Sequence, residues 1–369
     1  MPSLTMVNVT KRFGRIVAVN NLSLQVEDGE YLCVLGPTGS GKTTLLKLIA
    51  GILKPDAGEI YIGGKLVNDI PSCERNVAYV PQRYALFPHM TLLENVAFGP
   101  ISRGITRKES YRIAKRLLEM MRLSGRENSF PHELSGGMQQ RLALARGLAT
   151  NANILLMDEP LGALDARLRV ELRYKLREMV KENGLTAIHV THDQEEAMVV
   201  GDRIAVLRHG QIQQLSSPIE LYNKPRSIFV ANFVGDTNFL EGFIFETHQL
   251  GSWVQMRNGL ALLTYEKSFS TGEKVVLAIR DEAVEVARQT RKREELNLIP
   301  GTIQSSSFLG GFISYSILLM NGDLLRAKVP ISDKRRYSIG ENVIVRLRPE
   351  NIIVYPYPSA GLFRELEVF

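Results

Sequence analysis

The stretch Gly36–Thr44 reads GPTGSGKTT. Gly36, Gly41, Lys42 and Thr43 fit the phosphate-loop spacing G-x-x-x-x-G-K-[ST]. Glycines at 36, 39 and 41 let backbone N–H groups converge on phosphate oxygens with no side chain in the way. Lys42 brings a compact charge to the β and γ phosphates, and the Thr43 hydroxyl suits Mg²⁺. Pro37, Thr38, Ser40 and Thr44 complete the expected nucleotide-binding stretch. A second group lies in ILLMDEP, Ile154–Pro160. Asp158 ends an apolar run, where a carboxylate needs a partner; magnesium held beside Thr43 supplies one. Glu159 follows at once and is placed to polarise an attacking water, help that is worth about 10²–10⁴ in rate.

These residues need a scaffold. Tyr31–Leu35 (YLCVL) reads as a buried strand and Thr43–Ile52 as the helix after it, which points its positive end at the same anion. Ile154–Met157 and Ala187–Val190 read as further short buried strands. Lys108–Met121 and Ala166–Glu182 are amphipathic, and capping boxes pair Thr91 with Glu94 and Thr106 with Glu109. Short buried strands alternating with helices predict an α/β domain around a largely parallel sheet, over residues 1–235.

Composition narrows the class. The chain has 369 residues, which favours two domains. With 44% hydrophobic and 23% charged residues it is not disordered or collagen-like. No apolar run approaches the roughly 18 residues of a membrane span, and the N-terminus lacks signal-peptide character, so a cytosolic chain is expected. Two cysteines fit a reducing compartment: Cys33 as a core strand residue, Cys73 as a loop thiol. The net charge of +6 lies within residues 1–235, since basic and acidic residues balance from Asp236 onward. That excess suits a phosphate ligand, an anionic membrane surface or nucleic acid alike.

LSGGMQQR (Leu134–Arg141) separates the possibilities. It resembles the signature motif of ABC ATPases, and the order of the other motifs agrees. Gln82 in VPQRYALFPHM resembles the Q-loop glutamine, Asp165 in LGALD the D-loop, His192 in VTHDQEEA the switch histidine, and Phe13 in VTKRFG the aromatic that stacks on adenine. No guanine-reading Asn-Lys-x-Asp occurs; residues 223–226 read NKPR. The resemblance implies a P-loop ABC ATPase domain with a helical signature subdomain, binding ATP and Mg²⁺, the metal through Thr43, Gln82 and Asp158. Ser135, Gly136 and Gly137 precede a helix expected near Met138, a second anion-binding helix end. With Gln139 and Asp165, this end is implied to face the ATP of a second, head-to-tail copy. His192 is expected to begin a helix, to sense the γ-phosphate and to orient the water and Glu159. His189 reads as a strand residue. Tyr84–His89 is implied to help receive a helix of a membrane subunit.

After Val234–Gly235 the pattern becomes strands and Asn-Gly turns, at Asn258–Gly259 and Asn321–Gly322. GEKVVLAIRDEAVEV (Gly272–Val286) aligns with GENVIVRLRPENIIV (Gly340–Val354), and Gly242–Ile244 echoes Gly301–Ile303. Two copies of one β unit closing into a small barrel are expected over residues 236–369, with Trp253 in the core. Position, duplicated strands and Arg348–Glu350 resemble the oligonucleotide-binding-like TOBE barrel of certain ABC importers. The resemblance implies an importer ATPase on the cytoplasmic face of the membrane. It works as a homodimer with two integral membrane permease subunits and an extracytoplasmic solute-binding protein, without nucleic acid. ALFPHMTLLENVAFG and FVGDTNFLEG lean toward polyamine cargo, with sugar, anion or iron import as alternatives. A soluble ABC ATPase without membrane partner and a ligand-sensing regulatory module are the readings of another class.

Overall fold

The computed structural model describes residues 3–288 and 296–367. Contacts divide the chain into two units, Met1–Asn223 and Lys224–Val368. The first opens with an antiparallel pair, β1 (Leu4–Phe13) and β2 (Ile16–Val26), and then β3 (Tyr31–Leu35). The phosphate-loop residues lead into α1 (Lys42–Ile49), followed by β4 (Ala57–Ile62), β5 (Lys65–Leu66) and β6 (Val77–Val80). Three helices come next, α2 (Leu92–Ser102), α3 (Arg107–Met120) and α4 (Gly136–Ala149), which pack on one another. The unit closes with β7 (Ile154–Asp158), α5 (Ala166–Glu182), β8 (Thr186–Thr191), α6 (Gln194–Val200), β9 (Arg203–Arg208), β10 (Gln211–Ser216) and α7 (Pro218–Asn223).

Every residue of β3, β7 and β8 is buried, as the continuous apolar runs require of strands covered on both faces. They form the centre of a sheet ordered β10-β9-β3-β8-β7-β6, parallel except for the β9–β10 edge. One face shares a core with α1 and with the antiparallel sheet β2-β1-β4-β5, through residues such as Leu4, Leu32, Leu46, Ile60 and Val190. The other face is covered by α5 and α6. Cys33 lies buried in β3, whereas Cys73 is exposed in a short turn of 3-10 helix.

Several element ends differ from the sequence expectation. The first helix stops at Ile49 because Gly51 takes a left-handed φ of 76°, and Ile52 N–H turns back to the Lys47 carbonyl. The signature helix starts at Gly136, since extended Ser135 already ends the preceding loop. His192 precedes α6, whose N-cap is Asp193. At Thr91 both halves of the capping box form; at Thr106 only the hydroxyl–Glu109 N–H half does.

The second unit begins with α8 (Ile228–Val234). Five strands follow, β11 (Thr237–His248), β12 (Gly251–Gln255), β13 (Ala261–Thr264), β14 (Lys274–Arg280) and, after a 3-10 turn at Asp281–Ala283, β15 (Val284–Arg288). The same succession recurs as β16 (Leu298–Phe308), β17 (Phe312–Leu319), β18 (Leu324–Pro330), β19 (Asn342–Leu347), a 3-10 turn at Pro349–Asn351, and β20 (Ile353–Pro356), before α9 (Leu362–Leu366). The unit takes in α8 because Ile228 and Ala231 are buried against Val276, Ala278 and Tyr355.

The repeat is structural, and the copies exchange their last strands. Strand β20 pairs with β14, and β15 pairs with β19, giving curled sheets β13-β12-β11-β14-β20 and β15-β19-β16-β17-β18 around one core. A pair of buried asparagines follows the same symmetry. Asn238 donates to the Ile279 and Arg326 carbonyls, and Asn297 to the Leu347 and Leu263 carbonyls. Each also accepts a backbone N–H, from Arg326 and Leu263 respectively. Each therefore ties its own copy to a strand of the other. Trp253 lies half-buried on β12, outside that core, correcting the expectation.

Candidate functional site

The phosphate loop runs from the end of β3 into α1. Its shape depends on positions that exclude side chains. A Cβ on Gly41 would stand 2.2 Å from the Ala18 carbonyl oxygen, and Gly41 has a φ of 104°. A Cβ on Gly36 would stand 2.4 Å from the Leu207 carbonyl oxygen. Lys42 Nζ donates to the carbonyls of Gly36 and Pro37 at 2.8 and 2.9 Å, so the loop folds back on its own lysine. Burial lowers the Lys42 pKa, and the nearby Glu159 and Asp158 charges oppose that.

At the other side of the cavity, Asp158 ends β7. Its Oδ1 accepts the Thr43 hydroxyl at 3.2 Å and its Oδ2 the Tyr79 hydroxyl at 3.4 Å. Burial raises the Asp158 pKa; the Thr43 hydrogen bond pulls it down, and the Glu159 charge beside it adds to the rise. Glu159 has a φ of 51°, unusual for a residue with a Cβ. Its N–H donates to the Val190 carbonyl at 2.8 Å, and its own carbonyl accepts Gln140 Nε2 at 2.8 Å. Gln140 Oε1 also accepts Ala163 N–H at 2.8 Å, so one buried amide of α4 locks the turn after Asp158. Gln82 Nε2 donates to Glu159 Oε2 at 2.9 Å, and His192 Nδ1 lies 3.2 Å from Glu159 Oε1.

A cavity of about 470 Å³ joins the phosphate loop to Gln82, Glu159 and His192. Of the sequence candidates, Thr38, Gly39, Gly41, Lys42, Thr43, Thr44, Gln82, Glu159 and His192 line it, together with Ala18, which the sequence reading did not single out. Ser40 is buried with its hydroxyl unpartnered among the described residues, as a loop awaiting an anion would leave it. Gly36, Pro37, Ser40 and Asp158 lie behind this lining or beside it, and Ser135, Gly136, Gly137, Gln139, Asp165 and Phe13 do not line the cavity either. Ser135 is exposed at the start of α4 with no side-chain cap bond. Gln139 Nε2 turns back to the Pro131 carbonyl at 2.8 Å, and Asp165 caps α5 through Leu168 N–H at 2.9 Å. Phe13 is half exposed at the β1–β2 turn, with Lys11 5.7 Å from its ring centre. Tyr79 and Gln140 were also missed, although Gln140 sits inside the signature stretch.

The family model described as "ABC transporter" matches residues 19–162, and that of the TOBE domain matches 277–354. A spermidine/putrescine import ATP-binding protein, PotA of Nitrosospira multiformis, is 40% identical over 354 residues, 94% of this chain and 97% of the relative. The chain belongs to the ABC transporter ATP-binding family. This ABC ATPase is also 44% identical over 322 residues to the Fe(3+) ions import ATP-binding protein FbpC of Brucella abortus, covering 87% and 89% of the two chains. The dimeric ATP-binding cassette MJ0796 bound to ADP and Pi aligns with 58% of the chain and 98% of its own, at a TM-score of 0.55 and 35% identity. The α/β cassette fold and the curled TOBE sheets agree with both family models, and no described helix is long and apolar enough to cross a membrane. The chain is thus an ATPase of the import type.

Proposed function

We propose that this ATPase works as a head-to-tail homodimer with two ATP molecules in its interface. The loop at Gly36–Thr44 of one protomer cradles the triphosphate, and Phe13 stacks on the adenine. Ser135, Gly136, Gly137 and Gln139 of the other protomer close on the γ-phosphate from the N-terminal end of α4, with Asp165 alongside. The observation that carries this reading is the Glu159 carboxylate held between Gln82 and His192 at the rim of the cavity, while Ser135 stands exposed outside it. One protomer thus holds a water-activating group, and its anion-binding helix end points elsewhere.

Thr43, Asp158 and Gln82 offer a hydroxyl, a carboxylate and an amide oxygen, hard donors that fit Mg²⁺. These residues would hold the ion, which would supply charge neutralisation at the phosphate oxygens. The protein's own work is positioning: Lys42 leaves the Gly36 and Pro37 carbonyls for phosphate oxygens, Glu159 accepts a proton from water, and His192 holds that carboxylate and the γ-phosphate in register. Closure is the switch, since the γ-phosphate touches both chains.

Docking to two membrane permease subunits runs through Tyr84–His89, whose backbone is anchored by Arg146 to the Tyr84 and Ala85 carbonyls and by Asn95 to both polar groups of Phe87. The ATPase role belongs to the first unit, and the regulatory role to the second, whose strands carry α8. The chain sits on the cytoplasmic face and takes no nucleic acid, and a binding protein outside the membrane delivers the cargo. That cargo is a polyamine, supported by the PotA relatives; the FbpC relatives support iron as the second reading. Uptake by the assembled transporter, with labelled spermidine, putrescine, ferric iron and maltose, tests this. Spermidine or putrescine accumulation that needs Glu159 is expected, and iron uptake alone decides for the second reading.

A further inference from the structure

Beneath the switch residue lies a buried polar network that none of the steps above uses. His189 sits in β8 between Cys33 of β3 and Met157 of β7, on the face covered by α5 and α6. It is fully buried, yet it faces polar groups on both sides. Tyr31 OH lies 2.9 Å from Nδ1, and Glu196 Oε1 of α6 lies 3.4 Å from Nε2. Tyr31 is also fully buried and Glu196 is 3% exposed. Nε2 and Oε1 have no hydrogen-bond partner among the described residues, so this 3.4 Å approach is the polar contact open to each.

From Glu196 the network returns to the site. Glu196 Oε2 accepts the Thr191 hydroxyl at 2.5 Å, and Thr191 Oγ1 accepts Asp193 N–H at 3.0 Å. Asp193 Oδ1 in turn accepts Glu196 N–H at 2.9 Å. His192 is the residue between Thr191 and Asp193, so both its neighbours are tied to Glu196, Thr191 through the carboxylate and Asp193 through the backbone N–H. Arg169 and Arg173 of α5 approach Asp193 Oδ2 at 3.5 and 3.6 Å and hold the same turn from outside.

Electrostatics fixes the orientation of the His189 ring. A proton on Nε2 points at the carboxylate and leaves Nδ1 to accept from Tyr31. The other neutral tautomer sets a nitrogen lone pair against the carboxylate. Burial pushes the Glu196 carboxyl up, but His189, the Thr191 hydroxyl and Arg173 outweigh it, so the group stays below its ordinary range. An apolar side chain at 189 would leave both Tyr31 OH and Glu196 Oε1 without a partner in a dry interior.

We propose that His189 is a positioning residue for hydrolysis, acting through Glu196 to fix the Thr191–Asp193 backbone that presents His192 to Glu159. It rests on the roles assigned above to His192 and Glu159. The backbone on either side of His192 is held by a relay: Asp193 N–H ends on Thr191 Oγ1, and the Thr191 hydroxyl ends on the carboxylate that His189 faces.

The test is steady-state hydrolysis by the full-length chain, with ATP affinity measured separately in the Glu159→Gln background. His189→Phe keeps a ring of similar size and removes both polar contacts. It is expected to lower kcat about tenfold, in the range of losses for residues that orient a site from behind, with KM and ATP affinity unchanged. His189→Gln, which keeps a donor toward Glu196, is expected to recover most of that rate. Where His189→Phe fails to fold, Glu196→Gln replaces it, with the same kcat-only loss expected. His192→Ala is run alongside. If it hydrolyses ATP normally, the underlying reading fails. If it loses hydrolysis while His189→Phe or Glu196→Gln keeps the wild-type kcat, the positioning role is overturned. Equal changes in kcat and in ATP affinity, without rescue by glutamine, also overturn it.

Discussion

The side-chain amide of Gln82 donates to Glu159 at 2.9 Å, on the carboxylate oxygen opposite the one that His192 approaches. A loop residue that stands ahead of the helices α2–α4 thus touches the carboxylate proposed to activate water. On the proposed docking role of Tyr84–His89, movement of that loop would reorient this carboxylate.

Replacing Glu159 by Gln removes the proton acceptor and keeps the shape and the contact to Gln82. Hydrolysis is expected to fall about 10²–10⁴-fold, with ATP binding retained. Phosphate release and nucleotide fluorescence read the two effects separately; normal turnover contradicts the assignment.

Lys42→Ala removes a buried cation that now satisfies the Gly36 and Pro37 carbonyls. Loss of its charge-assisted contacts to phosphate is expected to weaken ATP binding roughly 30-fold, about 2 kcal/mol. Titration calorimetry measures it.

Most of the phosphate site was legible in the sequence because its chemistry is contiguous. Nine adjacent residues make the loop, and signature, strand and carboxylate pair follow in order. Tyr79, Gln140 and His189 were not legible, for one physical reason: each acts through a partner far along the chain. Tyr79 reaches Asp158, Gln140 reaches the Glu159 turn, and His189 reaches Tyr31. Likewise the Gly272–Val286 and Gly340–Val354 repeat announced two like units, but alternation of strand residues does not say which strand each edge accepts. The exchange of β15 and β20 is a tertiary choice, and so is the bridging by Asn238 and Asn297.

Asn297→Ala leaves Leu263 N–H and the Leu263 and Leu347 carbonyls without their buried partner. A loss of about 2–3 kcal/mol from the second unit is expected. Trp253, the single tryptophan, lies in that unit and reports its unfolding by fluorescence.

Asp281 gives the second unit a pH dependence of defined sign. Burial raises its pKa to about 6 from 3.8, with Arg326 opposing. The folded chain holds this proton more tightly than the unfolded chain does. Stability from Asp281 is therefore full below about pH 4 and is lost as pH rises through about 6, by up to ~3 kcal/mol. Trp253-monitored denaturation between pH 4 and 7 is expected to show this slope in the wild type and a flatter one in Asp281→Asn; parallel slopes contradict it.

On the proposed function, ATP itself joins two protomers, held by the Lys42 loop of one and the Ser135 helix end of the other. Light scattering of the full-length Glu159→Gln chain with ATP and magnesium measures it directly. Twice the monomer mass is expected with ATP, and reversion to monomer when Ser135→Arg is added, with ATP binding by the monomer intact. A Glu159→Gln chain that binds ATP and stays monomeric, even beside its membrane subunits, contradicts it.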